Sequence, residues 1–375
     1  MQGGKKMSSF DPLEYAKRCC ETVMRRYRAE DLPPKGHFHY HQGVFLSGMY
    51  QTWQLCKEER YFNYIKDWVD SCMDEQGTIL DYARWHLDDI QPGILLFPLW
   101  EQTKDVKYKN ALDERIAIID EFPRNGSGGF WHMEELAEQM WLDGLYMAGP
   151  VCAEYAYRFG KPEYLDLAID QALLMQEKTK DKTTGLWYHA WDYSGKAEWA
   201  NPLTGCSGEF WGRSIGWVPV AVLNELDFIP DTHPNYQNMC ELVRDLLVSL
   251  CRYQTESGLW YQVVNKPDQP GNWPEISCSS LYTAALYKAV RKGILETGYL
   301  DYAQKGLDAV LNSLTADGED IIIGGVCIGT GVGTYQHYCE RPVAENDLHG
   351  VGAFLIMCTE AYAFGAADRH GGQNG

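Results

Sequence analysis

What most constrains the fold of this 375-residue chain is an alternation between two kinds of apolar stretch. Six stretches are amphipathic with charged faces: residues 12–29, 60–74, 106–121, 162–179, 235–254 and 298–314. In the last of these, Tyr299, Tyr302, Ala303, Leu307, Val310 and Leu311 recur at the spacing of a helix with one buried face. Between them lie six stretches almost free of charge after their first turn: 41–53, 87–100, 140–157, 212–226, 278–290 and 346–362. A helix that is apolar all round is enclosed on every side. Pro92 and Pro150 fit first-turn or kinked positions within such helices.

Outer helix followed by inner helix, six times over, predicts an all-α (α/α)6 barrel. It would be one domain over residues 1–375, with its core at 12–362. An open superhelix of helical hairpins is the alternative, but that arrangement needs polar end caps. The last inner stretch, 346–362, is as apolar as the others.

The connections carry a second repeat. "GSGGFWHMEE" (126–135), "TTGLWYHAWD" (183–192) and "ESGLWYQVVN" (256–265) each follow an outer stretch and place Gly before aromatic residues. Short β-hairpins there would gather Trp131, Trp187, Tyr188, Trp260 and Tyr261 on one rim. The chain has 13 Trp and 24 Tyr, so aromatic residues could fill a large core or wall a sugar-binding cleft. A rim location favours the cleft. "GGVCIGTGVGTYQ" (324–336) is rich in glycine without a strand–helix context for phosphate binding, and reads as a loop over the cleft mouth.

Charge limits the partners. With 52 Asp+Glu against 33 Lys+Arg the net charge is −19, and no basic stripe is present to engage a nucleic-acid backbone. No membrane partner is expected either, because no uninterrupted apolar run reaches the roughly 20 residues of a membrane span. An anionic substrate would need a local cationic pocket. The first fifteen residues hold two lysines but no apolar segment, so they do not resemble an export signal and a cytoplasmic location is expected. Twelve cysteines, with no CxxC pair, read as buried thiols rather than as disulfides or a metal site.

The few polar residues of the inner stretches concentrate at their N-terminal ends. In order they are Tyr40, His41 and Gln42; Asp88 and Asp89; Asp143; Arg213 and Ser214; Ser277, Ser279 and Ser280; Asn346, Asp347 and His349. Parallel inner helices would bring them to one mouth, which is the expected site. Asp88, Ser277, Ser279 and Asp347 could simply be N-caps. Asp143 stands out, because "MWLDGLYMAGP" surrounds it with apolar residues and burying a lone carboxylate is costly. Arg213, between Trp211 and Trp217, could stack as a structural arginine or anchor an anion with its fork. His132 and His189 fall at the ends of the aromatic connections.

"HYHQGVFLSGM", "LDDIQPG", "MWLDGLYMAGP", "WGRSIGW" and "RPVAENDLHGVGAFL" resemble the signature blocks of glycoside hydrolase family 105, the unsaturated rhamnogalacturonyl hydrolases. These are close to the unsaturated glucuronyl hydrolases of family 88. The resemblance runs from about residue 12 to 362 and implies an (α/α)6 barrel without metal or cofactor. It implies a small oligosaccharide substrate released by a lyase, ending in a 4,5-unsaturated uronic acid, as in pectin and rhamnogalacturonan breakdown. The implied reaction hydrates the C4=C5 bond. By the same resemblance Asp143 is the general acid/base and Asp88 the second acid. Tyr40, His41, His132, Trp141, His189, Trp211, Arg213 and Trp217 would line the subsite. The apolar setting of Asp143 is expected to raise its pKa. Many relatives carry Gly-Asn after the arginine where this chain has Ser214-Ile215, which leaves linkage preference open. The alternative substrate is an unsaturated glucuronyl disaccharide from glycosaminoglycan or ulvan.

Overall fold

The computed structural model describes residues 11–371. In chain order the first helices are α1 (Pro12–Arg26), α2 (Tyr40–Cys56), α3 (Glu59–Ser71), α4 (Leu96–Thr103), α5 (Val106–Glu121), α6 (Asp143–Phe159) and α7 (Pro162–Thr179). They continue as α8 (Gly212–Glu225), α9 (Tyr236–Cys251), α10 (Ile276–Arg291), α11 (Leu300–Ser313), the short α12 (Tyr335–Cys339) and α13 (Leu348–Gly371). The amphipathic stretches form α1, α3, α5, α7, α9 and α11 around an inner ring of α2, α4, α6, α8, α10 and α13. Side chains start several of them. Asp11 accepts from the Glu14 amide, Asp105 from that of Lys107, and Glu275 from that of Cys278, while Pro162 opens α7.

The two classes differ as their patterns require. Helix α1 buries Tyr15, Ala16, Cys19, Cys20 and Val23 along one stripe, whereas every residue of α10 from Ile276 to Val290 is buried. The inner ring closes: α13 packs against both α10 and α2, and α8 lies between α6 and α10. That closure excludes the open superhelix. Helices α2 and α13 meet through Gly48 and Gly352, where a Cβ on Gly352 would lie 2.6 Å from the Val44 carbonyl oxygen. By length and composition α13 could cross a membrane, yet it is the closing inner helix and 72% of that stretch is buried. Helices of soluble cores pass the same test.

Two inner stretches depart from uninterrupted helices. Residues 87–100 begin as 3-10 turns, Leu87–Asp89 and Gln91–Leu95, before α4. Pro92 lacks the amide that a continuous helix would need there. Residues 140–142 are not helical. Gln139–Trp141 is strand β1, paired antiparallel with β2 (Ala190–Asp192), with Met140 opposite Trp191. Two further two-stranded pairs are β3 (Thr315–Asp317) with β4 (Asp320–Ile322), and β5 (Val326–Cys327) with β6 (Val343–Ala344).

The connections after outer helices do repeat as small turns. Those after α3, α5, α7 and α9 each contain a glycine with positive φ: Gly77, Gly128, Gly185 and Gly258. A Cβ at Gly77 or Gly258 would strike a carbonyl oxygen of the next outer helix, that of Lys107 or Lys305. The aromatic residues that follow correct the rim expectation. Trp187 and Trp260 are fully buried in the main core, and the Trp260 indole donates to the Leu250 carbonyl. Only Trp131, Tyr188 and Tyr261 stay partly exposed. The glycine turns so far inward that the tryptophan fills the space between ring and shell. All twelve thiols are unpaired, as expected.

Candidate active site

The N-terminal ends of the inner helices meet at one mouth. Because β1 ends at Trp141, Asp143 is the first residue of α6 rather than a carboxylate inside a helix. A first-turn acid is favoured by the helix dipole. Its Oδ2 lies 3.1 Å from Nε2 of His189, which β2 follows directly. Nδ1 of His189 lies 2.7 Å from the hydroxyl of Tyr338 in α12. The same hydroxyl accepts from the Gly333 amide at 3.1 Å.

The electrostatics correct the expected pKa of Asp143. Burial pushes the carboxyl up, but the hydrogen bond from His189 and the electrostatic pull of His189, His132 and Arg213 outweigh it. The net direction is below the ordinary aspartate value, so the resting group is a carboxylate. His132 is buried and stacked on Trp141, with ring centroids 4.5 Å apart and planes 8° apart. Burial lowers its pKa despite nearby Asp88. Nε2 of His132 is 3.6 Å from Asp88 Oδ1, and His86 Nδ1 is 4.0 Å from Asp88 Oδ2.

The neighbouring carboxylate has a different setting. Asp89 is fully buried, with its oxygens taken by His39 Nδ1 at 2.7 Å, His37 Nε2 at 3.0 Å and the Ala83 amide at 2.6 Å. Burial alone would raise its pKa, but the hydrogen bond from His39 and the attraction of His86, 3.9 Å away, hold it well below the ordinary range. Asp89 ties the 37–39 segment to the turn that presents Asp88.

Across the mouth, Asp347 Oδ1 is 2.8 Å from His349 Nδ1 and 3.9 Å from His41 Nε2. Burial, then His349, push the His41 pKa down to about 3, so its ring is neutral. Tyr40 is buried beside it, with its hydroxyl driven far up by burial and by the charge of Asp88. Three groups in this region have donor atoms close enough to share a cation: His37–His39–Asp89, His39–His86–Asp88 and His41–Asp347–His349. In the first, the carboxylate is already occupied by its histidines.

The glycine-rich segment does cover the mouth. A Cβ on Gly329 would lie 3.7 Å from the Tyr40 hydroxyl and 3.8 Å from His41 Nε2, and one on Gly331 would lie 3.4 Å from Trp141. Arg213 holds this segment. It is 1% exposed, and its guanidinium donates to the carbonyls of Cys327 at 2.6 Å and Ile328 at 2.9 Å. It also lies 4.0 Å from Glu275 and over the Trp211 ring. Arg341 donates to the Gly329 carbonyl. Two donors of the Arg213 fork are therefore held by backbone carbonyls of the covering segment.

Trp211 stacks on Tyr338 at 5.7 Å and 13°, next to His189. Trp217 is buried one turn deeper against Tyr146. Ser279 and Ser280 bond to carbonyls of their own helix turn, and Ser277 donates to Glu275. Glu275 and Tyr338 were not singled out from sequence. A glutamate preceding "ISCSS" carries a weak capping signal, and nothing local marks Tyr338.

The family model of Glycosyl Hydrolase Family 88 matches residues 15–364. Unsaturated rhamnogalacturonyl hydrolase YesR of Bacillus subtilis is 30% identical over 296 residues, covering 77% of this chain and 79% of that protein. A family 105 glycoside hydrolase structure from C. acetobutylicum superimposes with a TM-score of 0.89 at 29% identity, over 93% of this chain and 99% of the other. The unsaturated glucuronyl hydrolase structure from Bacillus sp. GL1 has a TM-score of 0.70 at 15% identity, over 93% and 94% of the two chains, a likeness of fold. The protein is thus a glycoside hydrolase belonging to the family 88 group, in its family 105 branch.

Proposed function

We propose that the enzyme releases a terminal 4,5-unsaturated uronic acid from short lyase-generated oligosaccharides of the rhamnogalacturonan type, by hydrating the C4=C5 bond. The observation that carries this reading is Asp143: a single carboxylate on a helix N-terminus, hydrogen-bonded to a buried histidine and set among Trp141, Trp211 and Tyr40. A vinyl ether needs one proton donor and one activated water, and one carboxylate can serve both steps.

In this reading the substrate's own carboxylate and the exclusion of water raise the pKa of Asp143, so that it takes up a proton on binding. Asp143 delivers that proton to C4, leaving an oxocarbenium ion at C5. Water adds to C5 and returns its proton to Asp143. The hemiketal opens to a C5 ketone, and the hemiacetal left at C1 expels the neighbouring sugar as an alcohol. One water is consumed and nothing is oxidised or reduced. Asp88, with His132 beside it, holds the ring hydroxyls. The reaction is assigned to the cytoplasm, where twelve unpaired thiols are stable. The test is the loss of ultraviolet absorbance of the conjugated double bond across a panel of lyase products. Rhamnogalacturonan products should turn over faster than glycosaminoglycan or ulvan products. No turnover of any unsaturated substrate would overturn the proposal.

A further inference from the structure

The contact between His189 and Asp143 depends on which ring nitrogen of His189 carries the proton, and the structure contains a group that decides this. The Tyr338 hydroxyl is buried and has two neighbours within hydrogen-bond distance. Gly333 N–H can only donate, so the tyrosine oxygen accepts from it at 3.1 Å. The hydroxyl proton is then free to point at the second neighbour, Nδ1 of His189, at 2.7 Å. An Nδ1 that accepts is unprotonated, so a neutral ring carries its proton on Nε2 and donates it to Asp143 at 3.1 Å.

We propose that Tyr338 is a positioning residue that locks His189 in the Nε2–H tautomer and thereby holds Asp143 as a carboxylate between proton transfers. In the opposite tautomer the bare Nε2 would face Asp143, and only a protonated carboxyl could bond to it. The lock belongs to the segment over the mouth, since Tyr338 and Gly333 lie between β5 and β6 while His189 and Asp143 lie in the barrel. Arg213 and Arg341 seat that segment through the carbonyls of Cys327, Ile328 and Gly329. Acid–base competence of Asp143 is thus tied to the covered state of the site.

Other charged and titratable groups around the pair are His132, Arg213, Asp88, Glu209 and Tyr40. None of them reaches Nδ1 of His189: among the described hydrogen bonds Tyr338 is the contact at Nδ1 and the Asp143 carboxylate the contact at Nε2, and both select the same tautomer.

The catalytic consequence rests on the hydration reading above; the tautomer does not. The test uses the full chain labelled with 15N, with the His189 ring identified by its loss in His189→Gln. The wild-type ring is expected to show a protonated Nε2 and a bare Nδ1 at neutral pH without substrate. Tyr338→Phe keeps the ring that stacks on Trp211 and removes only the hydroxyl. It should release the other tautomer and raise the pKa of Asp143. The acidic limb of the kcat/KM profile should then move to higher pH, and kcat should fall about tenfold, the worth of one hydrogen bond. Melting temperature and KM should change little. A wild-type ring protonated on Nδ1, or a variant whose tautomer and pH profile match wild type, would overturn the proposal. If no unsaturated uronide is turned over, the hydration reading fails while the nitrogen spectrum still decides the lock.

Discussion

Oδ2 of Asp143 and Nε2 of His189 lie 3.1 Å apart across 46 positions of sequence, and that contact reverses what burial alone would do to the carboxylate. Asp143→Asn keeps an oxygen that can accept from Nε2–H, so the barrel should fold with an unchanged circular-dichroism spectrum. It cannot carry a proton to C4. Turnover should fall by at least about 10²-fold, the lower end of what general acid–base catalysis contributes. Activity within about tenfold of wild type would remove Asp143 from the role.

Asp89 and its histidines give a stability prediction. The folded pKa of Asp89 is depressed, so its contribution is present above the unfolded value of about 3.9 and is lost as pH falls through the folded one. His86 works in the opposite sense. Burial lowers its pKa, but Asp89 and Asp88 raise it on balance. Its contribution is therefore full below about pH 6.5 and lost as pH rises through its folded value. The cluster should stabilise most between about pH 4 and 6.5. Asp89→Asn should cost roughly 2–4 kcal/mol in that window by denaturant titration, and progressively less toward pH 2. A cost independent of pH would contradict the assignment.

The sequence leaves Arg213 open between a stacked structural arginine and an anion anchor, and its geometry gives it a hold on the covering segment. Arg213→Met removes the cation beside buried Glu275 and releases two carbonyls of the covering segment, so stability should fall by about 3–5 kcal/mol along with activity. Arg213→Lys should not restore it, because one ammonium cannot replace the planar fork. An unchanged melting temperature with a raised KM would return Arg213 to the role of substrate anchor.

The helices were legible because the two burial patterns, one stripe against all faces, are local properties of 14 to 18 residues such as α11 and α7. The setting of Asp143 was not, because β1 forms only by pairing with Ala190–Asp192. No window around Met140 contains that partner. The sign of the Asp143 shift depended on His189 in the same way. Trp187 and Trp260 misled for another reason: the residue pattern of a sugar-binding rim is also that of a turn whose tryptophan fills the shell. Tyr338 lies 149 positions from the histidine it contacts.

Glu225 offers a test far from the chemistry. It is buried, neither carboxylate oxygen has a hydrogen-bond partner among the described residues, and Oε1 would lie 2.1 Å from a Cβ on Gly149. Burial pushes its pKa up to about 8, with Cys152 the titratable neighbour. The folded state then binds a proton that the unfolded state releases between about pH 4.5 and 8. Stability should fall with pH across that interval by up to about 1.4 kcal/mol per unit. Glu225→Gln should melt higher than wild type at pH 8 and converge with it near pH 5. A difference that does not vary with pH would show that the carboxyl is not neutral in the fold.

The central claim is that chemistry begins at C4 rather than at the anomeric carbon, and solvent isotope reports this directly. The reaction is run in D₂O on an unsaturated rhamnogalacturonan disaccharide, and the product is read by NMR. Delivery by Asp143 from one face predicts a single deuterium at C4 with one stereochemistry, and no reaction of the saturated counterpart. Release of a product that keeps its double bond, or efficient cleavage of the saturated disaccharide, would contradict the account and assign an ordinary two-carboxylate hydrolysis in its place.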